Sequence, residues 1–192
     1  MSAREIVTVG DPVLRERARP VSAEELRSPE VQQLIDDLIE TKRATHGAGI
    51  AANQVGEAVR VAIVEVEEGN PRYPYKPPVP LTVIINPTIE PLDEGTVEIN
   101  EGCLSVPDLR GTVDRHLTVR VRYLDRDGHA REEVRRGLTA GTFQHEVDHL
   151  DGILFLDRVR DPTTFSTWEQ FDRHHREAFE ARARALVARV GS

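Results

Sequence analysis

The sequence predicts an α+β fold, with antiparallel strands packed around a central histidine-bearing helix and with an N-terminal helix and a long C-terminal helix outside. Three observations predict it. Val31, Leu34, Ile35, Leu38 and Ile39 recur at the spacing of one buried helix face. The middle of the chain is rich in β-branched residues separated by turn signals. Residues 138–150 form a further helical stretch, with His145 and His149 four residues apart and so one turn apart on the same face.

The elements follow in order. Ile6, Val7 and Val9 predict a strand or extended arm that stops at the Gly10-Asp11-Pro12 turn signal. Ser28 caps a helix over 29–44, with Pro29 at its first position. The small-residue run from Gly47 to Gln54 is a tight loop, or backbone kept bare so that a ligand can approach it. Strands are predicted at 59–66 and 82–85, the second ending at Asn86-Pro87. Between them, five prolines in residues 71–80 forbid regular pairing and predict an ordered or flexible surface loop.

Residues 96–99 alternate as a half-buried strand and run into the turn Glu101-Gly102-Cys103-Leu104-Ser105. Residues 117–124 and 131–134 flank Asp125-Arg126-Asp127-Gly128 and predict a hairpin. Gly152 follows the histidine helix as its C-terminal glycine, and 153–156 is expected as a short apolar strand. After Asp161-Pro162, the residues Trp168, Phe171, His175, Ala178, Phe179, Arg182 and Leu186 predict one long C-terminal helix.

Composition bounds the function. A chain of 192 residues with 39% hydrophobic and 30% charged residues is expected to fold as a single domain, 1–192, without staples. No apolar run approaches the roughly 18 residues a membrane helix needs, and Met1 to Val9 lacks the apolar core of a secretory signal. A cytoplasmic protein with no membrane partner is expected. A net charge of −8 argues against DNA and other broad phosphate binding. Cys103 is the single cysteine, so it has no internal disulfide partner and is read as a small buried hydrophobe, a reactive thiol or a metal ligand.

His145-Glu146-Val147-Asp148-His149 has the His-Glu-x-x-His pattern, in which two imidazoles ligate a metal and the glutamate handles a proton beside it. If Cys103 joins them, a thiolate and two imidazoles leave the fourth tetrahedral position open, as in catalytic sites. His46, His116, His129, His174 and His175 are given no role.

These motifs together resemble the peptide deformylase family. Gly47 to Gln54 is similar to that family's Gly-x-Gly-Leu-Ala-Ala-x-Gln loop with Ile50 in place of leucine, while Glu101 to Ser105 and Gln144 to Leu150 match its other two motifs fully. Asp11-Pro12-Val13-Leu14-Arg15 also resembles the family's start. The likeness extends to about Val159 and leaves out the proline-rich loop and the length of the last helix.

The resemblance implies a metal-dependent hydrolase that removes the formyl group from the N-terminal formyl-methionine of nascent peptides and releases formate. It implies one divalent ion on Cys103, His145 and His149, with Fe²⁺ favoured over Zn²⁺, Ni²⁺ or Co²⁺. Glu146 is the implied general base, and the Gln54 amide and Leu104 N–H the implied oxyanion donors. The backbone of Gly49 and Ile50 would pair with substrate as an added strand. Ala48, Ile99, Leu104, Leu138 and the His145 ring would form the methionine pocket, whose shape Ile50 would alter slightly, and Arg110 is placed at its rim or in solvent. Glu101 is expected as an ion-pair partner and Asp148 as an acceptor for a ligand histidine. The C-terminal arginines raise a transient ribosome contact, against an ordinary capping helix. The alternatives are an amidase acting on another acyl group, and an inactive peptide-binding relative.

Overall fold

A computed structural model describes residues 3–192, so the first two residues of the 1–9 stretch lie outside the described residues. The chain first runs as an extended arm, in which the Val7 N–H donates to the Gln54 carbonyl and the Val9 N–H to the Ser105 carbonyl. The arm thus ties together two of the three sequence motifs. A short helix, α1 (Ala23–Leu26), precedes α2 (Pro29–Ala44), whose first turn is capped by the Ser28 side chain accepting from the Val31 N–H. Leu34, Ile35, Leu38 and Ile39 are buried along one face of α2, as the spacing requires. Burial of each such side chain contributes about 1.5–3 kcal/mol.

Seven strands follow: β1 (Gly49–Ala51), β2 (Val61–Val66), β3 (Val79–Pro91), β4 (Thr96–Cys103), β5 (Val106–His116), β6 (Thr118–Leu124) and β7 (Ala130–Arg136). A five-stranded sheet has the order β1-β2-β3-β6-β7, and β4 with β5 forms a separate two-stranded sheet. Every pairing between these strands is antiparallel. Helix α3 (Gly137–Leu150) lies between the two sheets, touching β1, β2, β3, β6 and β7 on one side and β4 and β5 on the other. Thirteen of its fourteen residues are buried, which fixes its side chains from all sides.

The α+β architecture matches the sequence-based expectation, with local differences: Gly49–Ala51 of the small-residue run is strand β1, and β3 begins at Val79, inside the proline-rich stretch expected to stay unpaired. Strand β3 does not stop at Asn86-Pro87. It passes through a bulge between Ile85 and Thr88, where Asn86 takes φ +51° and its side chain bonds the Val21 backbone. Residues 106–116, whose sequence shows no sustained alternation, form β5, turning back at Leu104-Ser105 onto β4. Residues 153–156 are not a strand: Phe155–Arg158 is a 3-10 helix, because the Asp157 carboxylate turns back to accept from the Leu154 N–H.

The C-terminal segment is two helices, α4 (Trp168–His174) and α5 (Arg176–Val190), broken at His175 with φ −126°. The break sets the Phe171 and Phe179 rings 5.8 Å apart, both buried against the core over α3. The apolar spacing runs unbroken across the kink, so it carried no mark of it.

Candidate active site

The three sequence motifs meet at one place. Gly49 is in β1, the edge strand of the large sheet; Cys103 ends β4; His145 and His149 point from α3 between the sheets. Cys103 Sγ lies 3.2 Å from His149 Nε2, and one donor atom from each of Cys103, His145 and His149 falls within a 4.8 Å sphere of separations. A soft thiolate and two imidazoles so grouped fit a divalent transition metal. Burial would push the Cys103 thiol up, but the charges and hydrogen bonds of His149 and His145 bring it down to about 5, toward the ligating thiolate form.

The surroundings fix each group. His145 Nδ1 is 2.8 Å from Glu101 Oε2, and Arg115 grips both oxygens of the same carboxylate at 2.8 Å. Burial alone would raise Glu101, yet Arg115 and His145 hold it well below the usual carboxylate range. His145 in turn is raised well above its usual value against the opposing effect of burial, by Cys103 and Glu101. The expected ion-pair role of Glu101 is present, and it is Glu101 that accepts from a histidine of the trio.

Asp148 does not play the part expected of it. Its carboxylate is held by Arg115 and Arg158, and among the described residues it makes no hydrogen bond to a histidine. His149 is anchored through its backbone instead, where the Asn53 amide donates to its carbonyl.

Glu146 is buried and lies against Gly49: a Cβ at Gly49 would overlap its carboxylate. Burial raises the Glu146 carboxyl to about 6, opposed in part by His145 and His149. Its Oε2 has no hydrogen-bond partner among the described residues. Gln54 accepts from the Ala51 N–H through Oε1, which leaves Nε2 to point at Ser105 Oγ at 3.1 Å and Cys103 Sγ at 3.5 Å. The amide donor is therefore aimed at the thiolate side of the site.

A narrow cavity runs from this cluster along α3, with about 50 Å³ of free space. Ala48, Gly49, Gln54, Ile99, Cys103, Leu104, Arg110, Leu138, His145 and Glu146 all line it, so ten of the twelve sequence-predicted site residues share one cavity. His149 sits just behind, on Cys103. Ile50 does not line it: its side chain is fully buried in the opposite cluster with Leu34, Ile35 and Leu38 of α2. Strand alternation sends Gly49 and Ile50 to opposite faces, so the expected effect of Ile50 on pocket shape is not found.

Arg110 is not in solvent. It is 1% exposed, stacked 4.0 Å from the Trp168 ring and 4.3 Å from Phe171, and its guanidinium donates to the Asn100 side chain and carbonyl.

The sequence missed several wall residues. Gly141 and Thr142 stand four and three positions before His145, a spacing that marks them as neighbours on the same face. Tyr73, Tyr75 and Lys76 come from the proline-rich segment, which is ordered over the cavity rather than free in solvent. Tyr75 packs edge-on to Phe179 at 5.1 Å. No residue pattern announced this, because the contact is made between segments a hundred residues apart.

A polypeptide deformylase family profile matches residues 3–165. The chain belongs to the peptide deformylase family. It is 43% identical over 178 residues to peptide deformylase 2 of Ralstonia nicotianae, covering 91% of this chain and 99% of that one. It is 44% identical over 166 residues to peptide deformylase 2 of a Nostoc species, covering 86% and 91%. A class I type b peptide deformylase of Acinetobacter baumannii, solved with Met-Ala-Ser bound, superposes with a TM-score of 0.79 at 44% identity, over 83% of this chain and all of the other. The chain is thus a deformylase-family enzyme, whose function is metal-dependent removal of a formyl group. No helix among the described residues is long and apolar enough to cross a membrane.

Proposed function

We propose that the cluster of Cys103, His145, His149 and Glu146 carries the deformylase reaction on the N-terminal formyl-methionine of newly made polypeptides. The observation that supports this best is Glu146, buried with an unpartnered carboxylate oxygen beside the donor trio. A purely structural metal site needs no such group. A divalent ion held by Cys103, His145 and His149 would supply Lewis acidity, lowering the pKa of a water molecule toward neutrality and polarising the formyl carbonyl. Fe²⁺ is the favoured ion, with Zn²⁺, Ni²⁺ and Co²⁺ as alternatives.

Glu146 takes a proton from the attacking water and later passes it to the leaving amine, a role suited to a carboxyl raised to about 6. Gln54 Nε2 and the Leu104 N–H donate to the oxygen on which negative charge develops. The unpaired edge of β1 at Gly49 and Ile50 receives the substrate backbone as an added strand. Ala48, Ile99, Leu104 and Leu138 form the apolar wall for the first side chain. Arg110, held by its aromatic stack and by Asn100, stands in the cavity wall and contacts the peptide backbone.

By this account residues 1–192 act as one cytoplasmic catalytic domain, meeting nascent peptides without DNA or membrane partners. The exposed Arg182 and Arg189 of α5 are the groups for a transient ribosome contact. The test compares formate release from formyl-methionyl peptide with acetate release from its acetyl counterpart. Release of formate alone supports the proposal; faster acetate release would move the activity to another acyl group, and binding without release to peptide capture.

A further inference from the structure

Of 25 basic residues in the chain only Lys42 and Lys76 are lysines, and the Lys76 ammonium sits inside the cavity. Its segment is anchored by buried Tyr75 and Val79, and the half-buried Lys76 side chain reaches from it to α3. Lys76 Nζ donates to Thr142 Oγ1 at 2.8 Å and lies 4.8 Å from the centre of the Tyr73 ring. The Thr142 hydroxyl is already committed, because it donates to the Leu138 carbonyl and can only accept from the lysine. Of the three N–H groups on the ammonium, at most one is spent on Thr142.

Thr142, Gly141 and Leu138 precede His145 by three, four and seven positions, so they extend from the histidine up one face of α3. At 1.5 Å per residue, Thr142 lies about 4.5 Å along the axis from His145, roughly the reach of a methionine side chain from backbone to sulfur. Ile99 packs directly on Gly141, where a Cβ would meet its Cδ1. Leu138, Gly141 and Ile99 give this stretch of the cavity an apolar wall, and Lys76 presents a hydrogen-bond donor beside it at Thr142. Burial draws the Lys76 ammonium down to about 8, against the pull of Glu101 and Glu146, so it stays mostly charged at neutral pH.

Resting on the deformylase reading of the site, we propose that Lys76 is a specificity-determining residue whose ammonium closes the first-residue pocket with an unspent donor. It selects side chains that carry an acceptor at the thioether position, methionine and above all methionine sulfoxide, over their alkyl isostere. A site that leaves a buried donor unpaired against an alkyl chain discriminates against that chain. A thioether sulfur is a weak acceptor and a sulfoxide oxygen a strong one, so the order follows from chemistry.

The experiment measures kcat/KM for formate release from three peptides that differ only in the first residue: formyl-methionine, formyl-methionine sulfoxide and formyl-norleucine. The wild-type enzyme is expected to use the sulfoxide at least as well as methionine, and norleucine about tenfold less well than the sulfoxide. In Lys76→Met the order should invert, norleucine and methionine becoming equal and the sulfoxide worst, with the change mainly in KM. Lys76→Arg should keep the wild-type order.

The wild-type order is decisive even if Lys76→Met folds poorly. A wild-type enzyme that prefers norleucine to the sulfoxide, or a Lys76→Met variant that keeps the wild-type order, would overturn the inference while leaving the deformylase reading intact. Absence of formate from all three peptides would remove that reading and the inference with it.

Discussion

Glu101 Oε2 lies 2.8 Å from His145 Nδ1, and the same carboxylate is clamped by both Arg115 Nε and Nη2. The contact fixes which ring nitrogen of His145 faces Cys103, so the metal-facing geometry is set by a pair 44 residues apart in sequence.

Glu101→Gln keeps the shape of this contact and removes its charge. Metal affinity should fall about 10- to 100-fold, as for other groups that orient a ligating imidazole. A chelator titration of the loaded protein reads it directly. Unchanged affinity would mean that Glu101 serves only Arg115.

Glu146→Gln should make the metal-free protein more stable at pH 7. The Glu146 carboxyl is raised from an unfolded value of 4.5 to about 6 in the fold, so its contribution is present below pH 4.5 and lost as pH rises through 6. Relative to glutamine, the wild type should thus lose about 2 kcal/mol across that window. Denaturant unfolding at pH 4 and pH 7 gives the difference, and a gap that does not widen with pH would contradict it.

Gly49→Ala places a methyl group where the Glu146 carboxylate now lies. The carboxylate must shift, and formate release should fall at least about tenfold while metal content stays the same. Equal turnover would show that Glu146 works from another position.

Gly141→Ala drives a Cβ into Ile99 Cδ1 in the pocket wall. The Ile99 tip must turn aside into the cavity, while alanine gains about 1 kcal/mol of helix propensity over glycine, so stability should change little and KM should rise more than kcat falls. Steady-state kinetics beside an unfolding curve separates the two effects.

Helix α2 was legible to its ends because every signal for it is local: Ser28 and Pro29 start it, and one apolar stripe buries it. The histidine pair was legible from its i, i+4 spacing, whereas Cys103 joined it through the resemblance of its Glu-Gly-Cys-Leu-Ser turn to the deformylase motif. The kink at His175 was not, since the apolar spacing from Trp168 to Leu186 is satisfied on both sides of it and only the Phe171–Phe179 packing requires the break. Asp148 was misplaced because adjacency to a ligand histidine does not set direction on a helix, and Arg115, distant in sequence, claims it. Ile50 was misplaced for the corresponding reason in a strand. Lys76 was hidden among prolines that say where regular structure stops but not where the segment then goes.

The central claim is that Glu146 moves the proton in formyl hydrolysis at a metal held by Cys103, His145 and His149. The most direct test is formate release from a formyl-methionyl peptide, using protein purified without oxygen and loaded with iron, beside Glu146→Ala loaded to the same stoichiometry. The account predicts turnover in the wild type and a loss of about a hundredfold or more in the variant with its metal retained. Equal turnover in the two proteins, or formate from neither with the metal fully bound, would contradict it.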